Sequence, residues 1–161
     1  MTFYTYLESP LEPLTLVSDG TALTALQMVE WKHGPQVAAD WVRDDAALPL
    51  AETKRQLTAY FHGELTEFEV PLALQGTEFQ RRVWEELRRI PCGVTISYGE
   101  LAARLGKANA ARAVGSANGR NPISIIVPCH RVIGTSGKLT GYGGGLARKE
   151  WLLAHERKMR G

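Results

Sequence analysis

The chain has little sulfur: two cysteines, Cys92 and Cys129, in 161 residues. Two thiols do not make a disulfide framework. With no C-x-x-C and only four scattered histidines, no zinc site is legible either. Long apolar runs are missing too, so nothing in the sequence reads as a membrane span. The start, Met1-Thr2-Phe3-Tyr4-Thr5-Tyr6, lacks the basic region and apolar stretch of a signal peptide. These absences point to free thiols in a reducing cytoplasm. What is present is globular, with 44% hydrophobic and 22% charged residues. The length suits one ordinary domain or two small ones sharing a core.

Each half is also poor in charge of one sign. Residues 1–75 hold 4 Lys/Arg against 11 Asp/Glu, a balance of −7, and residues 76–161 hold 15 against 6, a balance of +9. A lopsided +2 chain fits one half meeting a polyanion, and equally fits two solvated faces of opposite sign. Asp19, Asp40, Asp44 and Asp45 read as acidic surface rather than as a metal site.

Tyr4 to Leu7 and Leu14 to Val17 read as paired strands. Asp19-Gly20 is a hairpin turn into a third strand, Leu23 to Trp31, with Leu23, Ala25 and Gln27 alternating against Thr24 and Leu26. His33-Gly34-Pro35 ends it. Gln36 to Asp45 has a weak helical pattern. Leu50 to Phe61 reads as a helix stopped by Gly63, and Pro71 to Gly76 as a linker. Domains of 1–75 and 76–161 follow.

The second half is more informative. Thr77-Glu78-Phe79-Gln80 reads as a capping box opening a helix whose buried stripe is Phe79, Val83, Trp84, Leu87 and Ile90. Pro91-Cys92-Gly93 ends it, and Cys92 falls in a turn. After the extended Val94-Thr95-Ile96, Ser97 to Glu100 reads as a second capping box, opening a short helix that Gly106 closes. Asn109 is then expected to cap a helix over Ala110 to Ala117. Helix, short turn and helix is a helix-turn-helix pattern, although any helical hairpin shares it. The second helix is almost all small, with Ala110, Ala111, Ala113, Gly115, Ser116 and Ala117, and Arg112 alone projects. A close approach to a partner with one cation reaching deeper fits this face, as does tight helix packing with Arg112 at its rim.

Ile125-Ile126-Val127 then run as a buried strand into Pro128, which has no N–H for pairing. Cys129 follows, beside His130 and near Arg131, a setting that favours a reactive thiolate. A nucleophile at an abrupt strand end beside a base suits covalent chemistry; a small core thiol would fit the same spacing. Six glycines lie between Gly134 and Gly145. Such a loop brings backbone N–H groups against a flat ligand or simply covers surface. A last helix begins near Leu146 and includes Lys149 and Trp151, and Glu156 at its end is a candidate third partner for Cys129 and His130.

Taken together, Asn121-Pro122 through Pro128-Cys129-His130-Arg131, the Ala110-Ala111-Arg112-Ala113-Val114-Gly115 helix and Tyr142-Gly143-Gly144-Gly145 resemble the O6-alkylguanine-DNA alkyltransferases. The resemblance is strong over about residues 77–156; the first part agrees in length and in its order of strands then helix. It implies a ribonuclease H-like α/β domain followed by a mostly α domain with the helix-turn-helix. It implies that Cys129 accepts the alkyl group from guanine O6, that His130 removes the thiol proton through a water, and that Glu156 orients the imidazole. Tyr98 would donate to the guanine ring nitrogen, Asn121 would brace the active-site turn, and the Gly143 N–H would meet O6. The carbonyls of Cys129 and Val132 would read the exocyclic amine, with Tyr142 beside the pocket. The base would be flipped out, Arg112 filling its place, with Ala110, Ala111, Ala113, Gly115, Ser116 and Tyr98 against the minor groove of double-stranded DNA, largely independent of sequence.

The resemblance further implies no cofactor, no metal and no membrane. It also implies a monomer in solution, open to cooperative binding along DNA, in the cytoplasm and on the nucleoid when bound. Rival readings are a lesion-recognition protein without transfer, a DNA-binding regulator with Cys129 as redox sensor, and a cysteine hydrolase. Relatives of the first kind replace the acceptor cysteine; the second would carry polar base-reading side chains on its second helix, and these are nearly absent.

Overall fold

A computed structural model describes residues 1–28, 36–134, 142 and 145–160. It divides into two compact units. The first comprises residues 1–75 with 122–124, and the second residues 76–121 with 125–161.

In the first unit, β1 (Phe3–Leu7), β2 (Leu14–Ser18) and β3 (Leu23–Met28) form an antiparallel meander. The β2–β3 turn is fixed by Asp19, whose carboxylate accepts from the backbone N–H groups of Thr21 and Ala22, each at 2.9 Å. Gly20 takes φ +101°, a conformation that suits glycine. The expected alternation along β3 fails at Leu26, which is buried with Leu23 and Ala25. A partner explains this: Leu26 bridges Ile123 in parallel, so the third strand is not an edge at that point. Residues 29–31, and the stop at His33-Gly34-Pro35, lie outside the described residues. The helical pattern at Gln36 to Asp45 is corrected. Val42–Arg43 form a short strand, β4, parallel to β1, giving the order β3-β2-β1-β4. Across β1, α1 (Leu48–Phe61) buries Leu50, Leu57 and Tyr60.

In the second unit, α2 (Glu78–Leu87) starts with both halves of the expected box. Thr77 accepts from the Gln80 N–H at 3.1 Å, and the Gln80 side chain accepts from the Thr77 N–H at 3.0 Å. Gly76 must be glycine, because a Cβ there would lie 2.5 Å from the Trp84 ring. That ring is buried and donates Nε1–H to the Ala117 carbonyl at 2.8 Å, pinning α2 to α4 (Ala111–Gly119). Between them, α3 (Tyr98–Arg104) has only half a box: Ser97 accepts from Glu100 N–H, while the Glu100 carboxylate turns to Arg104 at 2.8 Å. The expected Asn109 cap is likewise corrected. The residue ahead of α4 is Ala110, with no side-chain cap, because a Lys107–Ala110 turn closes the connection first.

The largest correction concerns the run before Cys129. Ile125-Ile126-Val127 is buried but is a turn, not a strand. Ile125 has φ +71°, costly for a β-branched residue and incompatible with a ladder. Cys129–Arg131 then form one turn of 3₁₀ helix, followed by β6 (Val132–Ile133). This strand pairs in parallel with β5 (Ile96–Ser97), joining the Tyr98 and Cys129 segments. Helix α5 (Leu146–Arg160) runs one turn beyond Glu156.

Candidate active site

Two carbonyl anchors make the Cys129 turn. The Cys129 N–H donates to the Val127 carbonyl at 2.8 Å, and that carbonyl also accepts from Asn121 Nδ2 at 2.7 Å. Asn121 is fully buried and follows α4, so the end of that helix braces the cysteine turn. Asn118, on the last turn of α4, donates Nδ2–H to the Cys129 carbonyl at 3.4 Å.

Behind the turn lies a buried charge cluster. Glu156 Oε2 is 2.8 Å from His130 Nε2, and Arg131 clamps the same carboxylate through Nε and NH2, both at 2.8 Å. The third Arg131 nitrogen donates to the Ile90 carbonyl at 2.6 Å. Burial opposes the Glu156 charge, but His130 and Arg131 overcome it and hold the carboxyl well below its usual range. Burial also lowers the His130 pKa, so the imidazole is neutral and the lasting positive partner of Glu156 is Arg131. An ionised carboxylate only accepts, so Nε2 carries the His130 proton and Nδ1 keeps its lone pair. Nδ1 is buried and makes no hydrogen bond within the described protein. It is a base without a claimant.

The thiol differs from the expectation of a ready thiolate. Burial pushes Cys129 up to about 11, and the Asn121 side chain and the Lys149 ammonium pull only part of the way back. Neither expected cation acts as one on the sulfur: Arg131 is spent on Glu156, and His130 is uncharged. Lys149, fully buried on α5, donates to the Val132 carbonyl at 2.7 Å, and its own pKa is depressed by burial to about 8. At rest the thiol is therefore protonated and the imidazole of the next residue neutral.

Tyr98, half-buried at the start of α3, lies against α4 at Gly115, where an added Cβ would sit 3.8 Å from its ring. Along α4, Ala111, Arg112, Ala113 and Ser116 are exposed, while Ala110 and Gly115 are half-buried. Val132 is buried in β6, and Tyr142 is half-buried, its carbonyl accepting from Gly145 N–H at 2.9 Å. Gly143 lies outside the described residues. The structure thus joins His130 to Glu156 and Asn121 to the Cys129 turn, and sets Tyr98 against the small-residue helix.

Sequence reasoning missed the parts played by Arg131, Lys149 and Asn118. One signal was available: Lys149, Leu152, Leu153 and Glu156 share one helical stripe, so a buried lysine and a buried glutamate come with the two leucines.

Comparison with known proteins gives the family. Residues 2–74 match the ribonuclease-like domain of 6-O-methylguanine DNA methyltransferase and residues 78–158 its DNA binding domain. The chain belongs to this family. It is 56% identical to a methylated-DNA–protein-cysteine methyltransferase of Mycobacterium bovis, over 98% of this chain and 93% of that protein. One from Methanosarcina acetivorans is 50% identical over 96% of this chain and 97% of that protein. Among solved structures, Mycobacterium tuberculosis OGT in complex with DNA superposes with a TM-score of 0.91 at 54% identity, covering 98% of this chain and 94% of that one. The family fold, a ribonuclease-like domain with a sheet and a helical DNA-binding domain, is the fold described above.

Proposed function

We propose that this chain repairs alkylated DNA by direct reversal, moving the alkyl group of O6-alkylguanine onto Cys129 once and irreversibly. The observation that carries the reading is the buried Glu156–His130 pair, which leaves His130 Nδ1 with no hydrogen-bond partner among the described residues, on the residue next in sequence to the buried Cys129. The thiol proton passes to Nδ1 through a bridging water, and Glu156 steadies the imidazolium. Sulfur attacks the alkyl carbon in line, the S–C bond forms and the C–O6 bond breaks. Guanine leaves with the electron pair, its charge eased by the Tyr98 hydroxyl at the ring nitrogen and by the Gly143 N–H at O6. The product is a thioether, which water does not cleave, so the site works once.

The target atom is out of reach inside a duplex, so the base is flipped out. The exposed Ala111, Arg112, Ala113 and Ser116 suit an approach to the minor groove, with Arg112 filling the vacated stack. Contacts to phosphate, supported by the +9 balance of residues 76–161, leave binding largely independent of sequence. A relative solved in complex with DNA supports DNA as the partner. The protein acts as a monomer in the cytoplasm, without metal or cofactor.

The test is peptide mass spectrometry after incubation with a duplex carrying one O6-methylguanine. A gain of one methyl on the Cys129 peptide, saturating at one equivalent, is expected. Tight binding without a mass change would replace transfer by lesion recognition.

A further inference from the structure

Between α4 and the Cys129 turn the chain leaves the second unit for three residues. Pro122–Ser124 belong to the first unit, where Ile123 lies against Leu26 as one more rung of the sheet. The Leu26 N–H donates to the Pro122 carbonyl, and the Ser124 N–H donates to the Leu26 carbonyl, both at 3.0 Å. The Gln27 side chain adds a bond of its own, from Nε2 to the same Pro122 carbonyl at 2.7 Å. Both lone pairs of that oxygen are then taken, so its direction is fixed.

The Gln27 bond leaves an orphan behind. Gln27 is buried, and its Oε1 has no hydrogen-bond partner among the described residues. Turning the amide over would set oxygen against oxygen, so the orphan comes with the bond. Proteins rarely keep a buried polar atom in that state at an idle position. The rung itself needs only backbone groups, and an apolar side chain of similar length would fill the space without the orphan.

We propose that Gln27 is a positioning residue for alkyl transfer: from the first domain it fixes the Pro122 carbonyl and, through it, aims Asn121 at the Cys129 turn.

Asn121 directly precedes Pro122. The proline ring locks φ and the peptide bond between them is planar, so ψ of Pro122 is the soft torsion left between the held carbonyl and the Asn121 Cα. A residue ahead of proline also has few conformations of its own. Holding the oxygen therefore holds Asn121, which donates Nδ2–H to the Val127 carbonyl at 2.7 Å. On the other side of the rung the chain is strained. Ile125 follows it directly with φ +71°, which β-branched residues avoid. Such a residue persists where its surroundings over-determine it. Here the rung holds the chain before Ile125, and Asn121 holds it after, at Val127. With the Pro122 carbonyl released, Asn121 and the strained turn can both relax, and the thiol loses its aim.

This role presupposes transfer to Cys129 as proposed above, and the experiment keeps the two apart. Single-turnover transfer from O6-methylguanine, in a duplex and as the free base, is followed for the wild type and Gln27→Met. Both the rate and the final equivalents of methyl on Cys129 are read. Gln27→Met should react about tenfold more slowly, the value of one ordinary hydrogen bond, equally on both substrates, and still reach one equivalent. Ending short of one equivalent, with the wild-type rate in the active remainder, would mean a merely structural role and would overturn the proposal. The route is tested by adding Asn121→Ala. In that background Gln27→Met should slow transfer by about twofold or less, whereas a further tenfold or so would show that Gln27 does not act through Asn121. If Gln27→Met yields no active protein, Gln27→Asn keeps the amide but falls one methylene short of the Pro122 carbonyl. It should show the same slow, complete transfer, and a wild-type rate would overturn the proposal. A wild type that gains no methyl on Cys129 would overturn the transfer reading itself, and the Gln27 role with it.

Discussion

Pro-Cys occurs twice in this chain, and the two copies are used differently. Pro91-Cys92-Gly93 lies in a turn beyond α2, which ends at Leu87, while Pro128-Cys129-His130-Arg131 opens the 3₁₀ turn. Burial raises the pKa of both thiols, Cys129 to about 11. Neither is therefore an unusually acidic thiol. The difference lies in their company. Cys129 has the Asn121 amide and the Lys149 charge to steady a thiolate, and in the proposed reaction the next residue, His130, takes its proton. Cys92 is half-exposed, with only Arg131 as a favourable neighbour and the Glu156 charge set against it. A nucleophile here is a thiol with a base, not a thiol that is already charged.

The largest effect should come from removing the acceptor. Cys129→Ala is expected to abolish methyl transfer while leaving duplex binding within about twofold, because the exposed α4 residues proposed to face DNA are untouched. Residual transfer, found on the Cys92 peptide by mass spectrometry, would erase the distinction between the two thiols.

Next comes the base. His130→Ala should slow transfer by about 10²–10⁴-fold, the usual worth of a positioned general base. The pH profile sharpens this expectation. The His130 pKa is lowered by burial, so the base is already neutral at pH 7, and wild-type transfer should not rise from about pH 7 to 9; it should fall modestly through about 8, where Lys149 gives up the charge that steadies the thiolate. Without His130 the thiol must ionise alone. The rate should then climb with pH toward the Cys129 value of about 11. A flat profile in the variant would mean that Cys129 rests as a thiolate. The same shift has a stability consequence. A thiol raised in the folded state favours folding below its unfolded pKa, a contribution lost as pH rises through about 11.

Much of this site was legible in the sequence, and the illegible parts share a cause. The Thr77 box, the Asp19-Gly20 turn and the small face of α4 are local patterns, decided within a few residues. Glu156 was already a candidate third partner for Cys129 and His130 from the residues, while the role of each came through family resemblance. By contrast, Ile125-Ile126-Val127 has every local mark of a strand. It is a turn because Asn121 claims the Val127 carbonyl and Ile123 is already paired with Leu26. Val42–Arg43 becomes a strand only because β1 offers its edge. Arg131, Lys149 and Asn118 are likewise tertiary choices, since their partners lie 25, 17 and 11 residues away.

Delivery of the base separates the two thiols as well. Arg112→Ala should slow transfer from duplex O6-methylguanine by about tenfold or more, the scale of a few kcal/mol for leaving an unstacked step unfilled. Reaction with free O6-methylguanine should change little, since no stack is opened. Comparable losses on both substrates would remove Arg112 from the flipping step and leave it a phosphate contact.

The smallest effect is expected at Cys92, where it is also most informative. Cys92→Ser keeps the size of the side chain and a hydroxyl able to meet Arg131, whose other nitrogens clamp Glu156. Transfer to Cys129 should stay within about threefold of wild type, with the pH profile unmoved, because a neutral neighbour adds little to a bidentate charged pair. Cys92→Asp, in contrast, places a second carboxylate beside Arg131 and competes with Glu156 for it. That variant should weaken the hold on His130 and slow transfer several-fold more than the serine does. Equal behaviour of Ser and Asp in single-turnover assays would show that the clamp on Glu156 is indifferent to the turn at Cys92, and that the two Pro-Cys regions do not communicate.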